Sequence, residues 1–586
     1  MKTVRTLCCT LRLLSATAGL TAPATLAASA ALVAVVVASA ALVACEDEND
    51  PATWVKRLDD PAQRANAIKR LTQFYEDDMT HASNDASAPE VKQLLDTIVD
   101  PLTKQYTGGS LDELTRTELI KFLAETHDPR TQPALAKALK DFEMGKTDDE
   151  VRVSCESINA MAKAGVKLDK TLIDPLWDTF SKFQLSKAQS QRLYQGLHEA
   201  IVNVHDVSYG DKAIEKLKAP VAEGVDSQKD QINWWQLTSI QVISELRYTK
   251  AVKQLVLVLL TPSKIDLNAS TRMALLKMSP AAEPELIKAL LGQDPDYNSA
   301  GAAFKDKANL AIVADTLGLL SRPGGRDALL TALPSADTDT TKTAFAQALV
   351  QFPPDPRVEP AFLAAYAKLP WSASVEFLGA LKPRAALAQA SASLYDTNLT
   401  DWLVKETVTA PDAASKLLPI EAALKLMPAN KKADVGAALQ KAKGELPGDV
   451  FQASKQMLDF ASQATDKCGT NVTCYLGILD EPIPSSPTTA NMRAVKAAWM
   501  TVVYGRSAAD ATRAELLKRV DKVKEASARL AIVEAIDELA PKGDVATADA
   551  LDKIVASDTK SGDKSVLMAD DSVVKIALRL RARAAP

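Results

Sequence analysis

The sequence predicts an all-α protein built as an α-solenoid, and three observations predict it. First, aromatics make up only 5% of the 586 residues and alanine and leucine abound, a balance that favours helix over strand. Second, apolar residues fall four apart in short segments: Leu135/Leu139, Leu255/Leu259, Leu286/Leu290 and Leu329/Leu333. That spacing sets both side chains on one helix face. Third, the segments repeat with drift. Residues 128–139 read DPRTQPALAKAL, and residues 356–366 read PRVEPAFLAAY, with Arg357 for Arg130, Pro360 for Pro133 and Phe362 for Leu135. Residues 250–259, 283–290 and 326–333 are looser copies. A repeated helix that cannot bury its apolar face alone must stack on its neighbours. The chain is also too long for one compact core.

The N-terminus comes first. Lys2, Arg5 and Arg12 form a basic head, an Ala/Val/Leu-rich stretch follows, and Leu42-Val43-Ala44-Cys45 ends it against the acidic turn Glu46-Asp47-Glu48. A basic head, an apolar core and small residues before a boundary make a secretory signal. Its end resembles the lipobox of bacterial lipoproteins. The resemblance implies that Leu42, Val43 and Ala44 are the peptidase recognition site and that Cys45 is acylated and becomes the first mature residue. Several acyl chains would hold the protein on a membrane face. It also implies a bacterial cell-envelope location. Glu46 stands where the family uses aspartate for inner-membrane retention, which points to the outer membrane, facing the periplasm or the cell surface.

Helical patterns then start almost at once, near residues 51–58 and 62–75, so the tether is expected to be short. Residues 116–125 and 128–142 give a helix–turn–helix pair, with Asp128 as a cap and Pro129 in the first turn. Further pairs are expected at 235–246 with 250–260, 310–320 with 326–333, and 343–352 with 357–367. The phrases HDPRTQPALAKAL and PDPRVEPAFLAAY resemble HEAT repeats, including the lyase-like variety with its DPR…PAL pattern. The resemblance implies HEAT-like helix pairs, and such motifs report a fold more securely than an activity.

Residues 480–491, DEPIPSSPTTAN, carry three prolines among hydroxyl residues, which reads as a linker. Residues 558–571 read as a polar loop, and the final VVKIALRLRARAAP as a basic amphipathic helix capping the array in solvent. The domains expected are a signal peptide at 1–44, a helical solenoid at 45–466, a cysteine-containing loop and linker at 467–491, and a C-terminal helical block at 492–586. In an oxidising compartment Cys468 and Cys474 are expected to pair across CGTNVTC, with Gly469 and Asn471 as turn residues. Cys155 shares a helix face with Val151, Ile158 and Ala162, so a buried, inert thiol is expected there.

Motifs for chemistry start and fail. His198-Glu199 opens a zinc-protease pattern, but Val202 stands where the second histidine must be. Gly145-Lys146-Thr147 lacks the earlier glycine of a phosphate loop. Residues 294–298 open like a calcium loop, but Ser299 and Lys305 replace its glycine and glutamate. No catalytic, cofactor-binding or metal-ligating residue is therefore expected. Trp234 and Trp235 are candidates for partner contact, one inward and one facing a groove, against a plain packing role. A net charge of −5, made more negative by loss of the signal segment, speaks against nucleic acid as a partner. The expected function is a lipid-anchored envelope scaffold that binds protein partners on its helical surface. The alternatives are a HEAT-lyase-type enzyme and a non-binding spacer.

Overall fold

The structure is a computed structural model that describes residues 47–586 apart from 109, 188–189, 222–225, 368, 370–383, 385–386, 388–396, 485–487, 562–563 and 585–586. Residues 1–44, where a signal peptide is expected, and Cys45 lie outside the described residues. Among the described residues every regular element is an α-helix or a 3-10 turn, with no strand. The all-α expectation therefore holds. No helix among them is long and apolar enough to cross a membrane. The chain divides into two compact units. The first runs to Thr179 and takes in Gln189–Ala200; the second holds Phe180–Ala188 and everything from Ile201 onward.

The first unit shows how the repeats work. Its central helices are α1 (Pro89–Gly108), α2 (Glu113–Glu125), α3 (Gln132–Lys140) and α4 (Asp148–Lys163). α1 packs on α2 and α3, and α2 packs on α3 and α4. Each helix thus touches the next and the next but one, the stacking that the apolar stripes require. Leu119 and Leu123 of α2, Leu135 of α3 and Val151 and Ile158 of α4 are fully buried at the shared seams. Each such side chain stabilises by roughly 1.5–3 kcal/mol relative to exposure. Cys155 lies fully buried in the same seam, and burial raises its thiol pKa, as an inert thiol requires.

The DPR phrase has a physical role. Asp128 accepts from the Arg130 backbone N–H at 2.9 Å and takes its guanidinium through both carboxylate oxygens, at 2.9 and 2.6 Å. Arg130 Nη1 also reaches Asp96 of α1 at 3.0 Å. The aspartate caps the 3-10 turn Pro129–Thr131 rather than α3 itself, and that turn feeds α3. Residues 355–357 repeat the device. Asp355 accepts from the Arg357 N–H at 2.9 Å and pairs with its guanidinium, which also reaches Asp327 at 2.9 Å. The motif is a cap and a two-point clamp between successive repeats.

In the second unit the same stacking recurs through α5 (Asp226–Leu246), α6 (Val252–Leu259), α7 (Asn268–Lys277), α8 (Ala282–Leu290), α9 (Ala308–Leu320), α10 (Pro323–Ala332), α11 (Asp339–Leu349) and α12 (Val358–Tyr366). It continues through α13 (Ala413–Leu426), α14 (Gly448–Cys468), α15 (Val472–Leu479), α16 (Met492–Gly505), α17 (Ala526–Glu538), α18 (Val545–Ser561) and α19 (Lys564–Ala584). Buried lysines tie separate helices by donating to helix-end carbonyls that lack a partner within their own helix. Lys496 is fully buried and donates to the carbonyls of Leu424, at 2.8 Å, and Met427 at the end of α13. Lys264 does the same for Leu217.

Three C-terminal expectations change. Within the stretch read as a loop, Cys468 closes α14 and residues 472–479 form the helix α15, whose Asn471 cap accepts from the Cys474 N–H at 3.1 Å. The short apolar run of α15 buries Tyr475, Leu476, Ile478 and Leu479, so tertiary burial overrides the turn residues around it. Residues 558–561 and 564–571, expected in a polar loop, are helical. Asp558 lies in α18 and Asp570 in α19, and both face Arg529 of α17, which is fully buried, at 2.5 and 3.6 Å. The last helix is not a solvated cap either. α19 packs on α17 and α18 and returns onto α7 and α9, burying Ile576, Ala577, Leu580 and Ala582. Gly543, at φ +79°, permits this closure, because a side chain there would collide with the Leu580 carbonyl.

The seam account orders two substitutions in the first unit. Leu135→Asp buries an unpaired charge and is expected to lower stability by several kcal/mol. Arg130→Ala removes a part-exposed clamp and is expected to cost much less. Thermal unfolding of both variants checks the order, and an equal or reversed ranking contradicts it.

Candidate functional site

The second unit holds the arrangement with most chemical content. Two recesses flank α19. One, of about 730 Å³, is walled by α7, α9, α11, α16, α17 and α19 together with Lys425 of α13. The other, of about 1020 Å³, is lined by residues of α5, α7, α18 and α19. Both exist because the chain's last helix returns to the middle of the unit.

An ion cluster seats that helix. Asp537 of α17 is 6% exposed. It pairs with Arg583 at 2.6 Å through one oxygen and with Arg579 at 3.1 Å through the other. Arg579 also donates to the Gln351 carbonyl beyond α11. Arg583 Nη1 donates to the Ser321 hydroxyl, which ends α9, at 3.3 Å. Two guanidiniums are thus placed at helix C-terminal ends, where the partial charge is negative. In return Arg322 donates to the Ala582 carbonyl at 2.6 Å. On the far side of α19, Arg581 pairs with Asp549 at 2.5 Å and Asp552 at 2.6 Å at the second recess.

Glu534 and Glu538 behave differently. They sit one turn apart on α17 and line the smaller recess. Among the described residues no ion pair reaches either, and Glu538 Oε2 is closed off without a hydrogen-bond partner. Burial, reinforced by the neighbouring Asp537 charge, pushes Glu538 up to about 8. Burial also raises Glu534, against the pull of Lys425. Asn268 Oδ1 of α7, likewise closed off, lacks a partner as well. Arg272 and Asp315 in the same lining form an ion pair, while Arg272 Nε has no hydrogen-bond partner. The lining thus mixes both signs of charge, with Arg272, Lys425, Lys575 and Arg579 beside Asp315, Glu534, Asp537 and Glu538. Trp499, 2% exposed, and Leu530, Ile312 and Ile576 supply an apolar lining. Among the described residues no three His, Cys, Asp or Glu side chains converge as a metal-ligand set.

None of the residues singled out in the sequence lies here. Cys45 is outside the described residues. Cys468 and Cys474 are joined in a disulfide with Cα atoms 5.3 Å apart. Trp234 packs against Phe180 and Phe183 at 5.0 and 5.4 Å between ring centroids. Trp235 donates its indole N–H to the Phe180 carbonyl at 2.9 Å and lies under Lys216 at 4.3 Å. Both tryptophans are half-buried and internally engaged. Asp294 caps the short helix Pro295–Gly301 and pairs with Lys253 at 3.1 Å, so the calcium-like opening is a capping segment. Sequence reasoning missed the recess. The available signals were the Glu534/Glu538 pair on the polar side of α17 and the four-residue spacing of Lys575, Arg579 and Arg583, which puts them on one face of α19.

Opposite-sign stability effects are expected from neighbours on α17. Asp537→Ala leaves two buried guanidiniums without their carboxylate and should cost about 3–5 kcal/mol. Glu538→Gln should stabilise instead. A carboxyl whose folded pKa is raised above its unfolded value favours folding at low pH, and that contribution is lost as pH rises through the folded value. The gain from Glu538→Gln should therefore be seen at pH 8 and absent near pH 4. Denaturant unfolding at both pH values checks this, and a variant less stable than the parent at pH 8 contradicts it.

No known protein family and no curated protein matches the chain. Among solved structures it is similar to Kap121p, at 12% identity and a TM-score of 0.30 over 91% of this chain and 70% of that one. A Kap121p mutant carrying seven substitutions matches at 10% identity and a TM-score of 0.35 over 90% and 71%. Importin beta crystallised in an ammonium sulfate condition matches at 10% identity and a TM-score of 0.29 over 92% and 74%. At such values the readings of fold and site rest on this chain's own residues.

Proposed function

We propose that the chain is a binding scaffold held at a bacterial envelope membrane by lipid on Cys45, and that it takes protein partners on its stacked helices. The observation that carries the binding role is the stacking itself. Outer helices such as α10, which buries only Gly325, Ala328 and Leu329, leave their other face and their turns outward, so recognition surface accumulates along the stack. The lipid anchor rests on Leu42-Val43-Ala44-Cys45 at the end of an apolar segment. The first described helix, Pro51–Arg57, starts a few residues later with Asp50 as its cap. A tether that short holds the folded part close to the membrane.

Cys45→Ala is expected to release the protein from the membrane fraction into the soluble envelope fraction; a variant that still sediments with membranes contradicts the anchor. For the scaffold, crosslinking in intact cells should trap the same few envelope proteins with the parent and with Cys155→Ser. Crosslinks no richer than those of an unrelated anchored protein would favour a spacer.

A further inference from the structure

The disulfide-closed turn between α14 and α15 carries a chemical feature that the scaffold role leaves unused. Asn-x-Ser/Thr with no proline between is the triplet at which an asparagine accepts a sugar in exported proteins. The chain holds three, at 268–270, 398–400 and 471–473. The fold closes two of them. Asn268 opens α7 with its Oδ1 shut away from solvent. Thr400 is fully buried in the helix Thr397–Thr409.

The third is open. Gly469, Thr470, Asn471 and Thr473 are all exposed. A side chain built on Gly469 or Gly477 would meet nothing within 4 Å, so the space outside the turn and the outward side of α15 is clear. The Asn471 amide divides its two ends. Its Oδ1 caps α15 by accepting from the Cys474 N–H at 3.1 Å. Among the described residues no hydrogen bond holds its Nδ2. Nδ2 is the atom that bonds a sugar, so substitution there leaves the cap in place. The turn is held without it, by the Cys468–Cys474 bridge and by the Tyr475 hydroxyl donating to the Gly469 carbonyl at 2.6 Å. A disulfide persists in an oxidising, exported compartment, where transfer of this kind takes place.

We propose that Asn471 is a glycosylation site. The donor is a sugar joined through its anomeric carbon to a polyprenyl diphosphate and delivered by a membrane transferase. Asn471 Nδ2 bonds to the anomeric carbon as the bond from that carbon to the diphosphate oxygen breaks. The polyprenyl diphosphate leaves with the electron pair, and the amide gives one proton to a base of the transferase. Nothing is oxidised or reduced. The site rests on the envelope location proposed above. A bulky, hydrated sugar keeps partners off the α14–α15 edge and leaves them the rest of the stack.

Mass spectrometry of the chain isolated from the envelope of its own cells tests this. Cleavage after Lys467 and after Arg493 isolates residues 468–493, which hold this triplet alone. In the parent and in Thr473→Ser that peptide should be heavier by whole sugar residues. In Asn471→Gln and Thr473→Ala it should have its bare mass, and peptides holding Asn268 and Asn398 should be bare throughout. A bare 468–493 peptide in the parent overturns the proposal, as does a sugar that persists in Asn471→Gln. The peptide that starts at Cys45 is read in the same digest. Lipid on Cys45 beside a bare 468–493 means that the site alone fails; both peptides bare means that the envelope location fails with it.

Discussion

Asp537 is the point on which the second unit turns. A carboxylate almost out of solvent needs compensation, and it receives two guanidiniums from a helix at the far end of the chain. Those guanidiniums would be as costly to bury alone. They also donate to the carbonyl of Gln351 and the hydroxyl of Ser321, at the ends of α11 and α9. One ion cluster therefore links α9, α11, α17 and α19, whose residues are spread over more than 250 positions. A buried ion pair adds little net stability against an apolar replacement, but breaking it is severe. Its effect here is on specificity: α19 can sit in this register and no other without stranding a charge.

The recesses follow from that seating. Helices in a plain stack touch only neighbours in sequence and leave a continuous surface. When α19 returns onto α7 and α9 it divides that surface and encloses space on both of its sides. The smaller recess inherits the polar side of α17. There Asp537 finds partners, while Glu534 and Glu538 do not. Three acids within five residues of one helix thus meet two different fates. The second buried pair, Arg529 with Asp558 and Asp570, fastens α17 to α18 and α19 below the same helix.

What could be read in the sequence was whatever is local. The four-residue spacing of Leu135 and Leu139 reports a helix face without knowledge of its neighbour. The DPR phrase marks helix starts because an aspartate capping its own next turn is a short-range event. The pairing of Cys468 with Cys474 is short-range too. The failures were long-range. Residues 558–571 looked solvated because the partner that neutralises Asp558 and Asp570, Arg529, stands on another helix about thirty residues away or more. Arg579, Arg581 and Arg583 looked like a solvent-facing basic end for the same reason. Lys264 and Lys496 would be placed outside by composition, yet both lie buried because carbonyl groups at the ends of other helices accept from them. The recess was invisible because its walls come from six helices that only the return of α19 brings together.

The account stands on α19 being a closing element of the second unit and not an appended tail. Native-state hydrogen exchange measures this directly. Amides of residues 573–583 should exchange as slowly as those of α9 and α17 and lose protection together with them in denaturant. Fast exchange of 573–583, with α9 and α17 still protected, would contradict it.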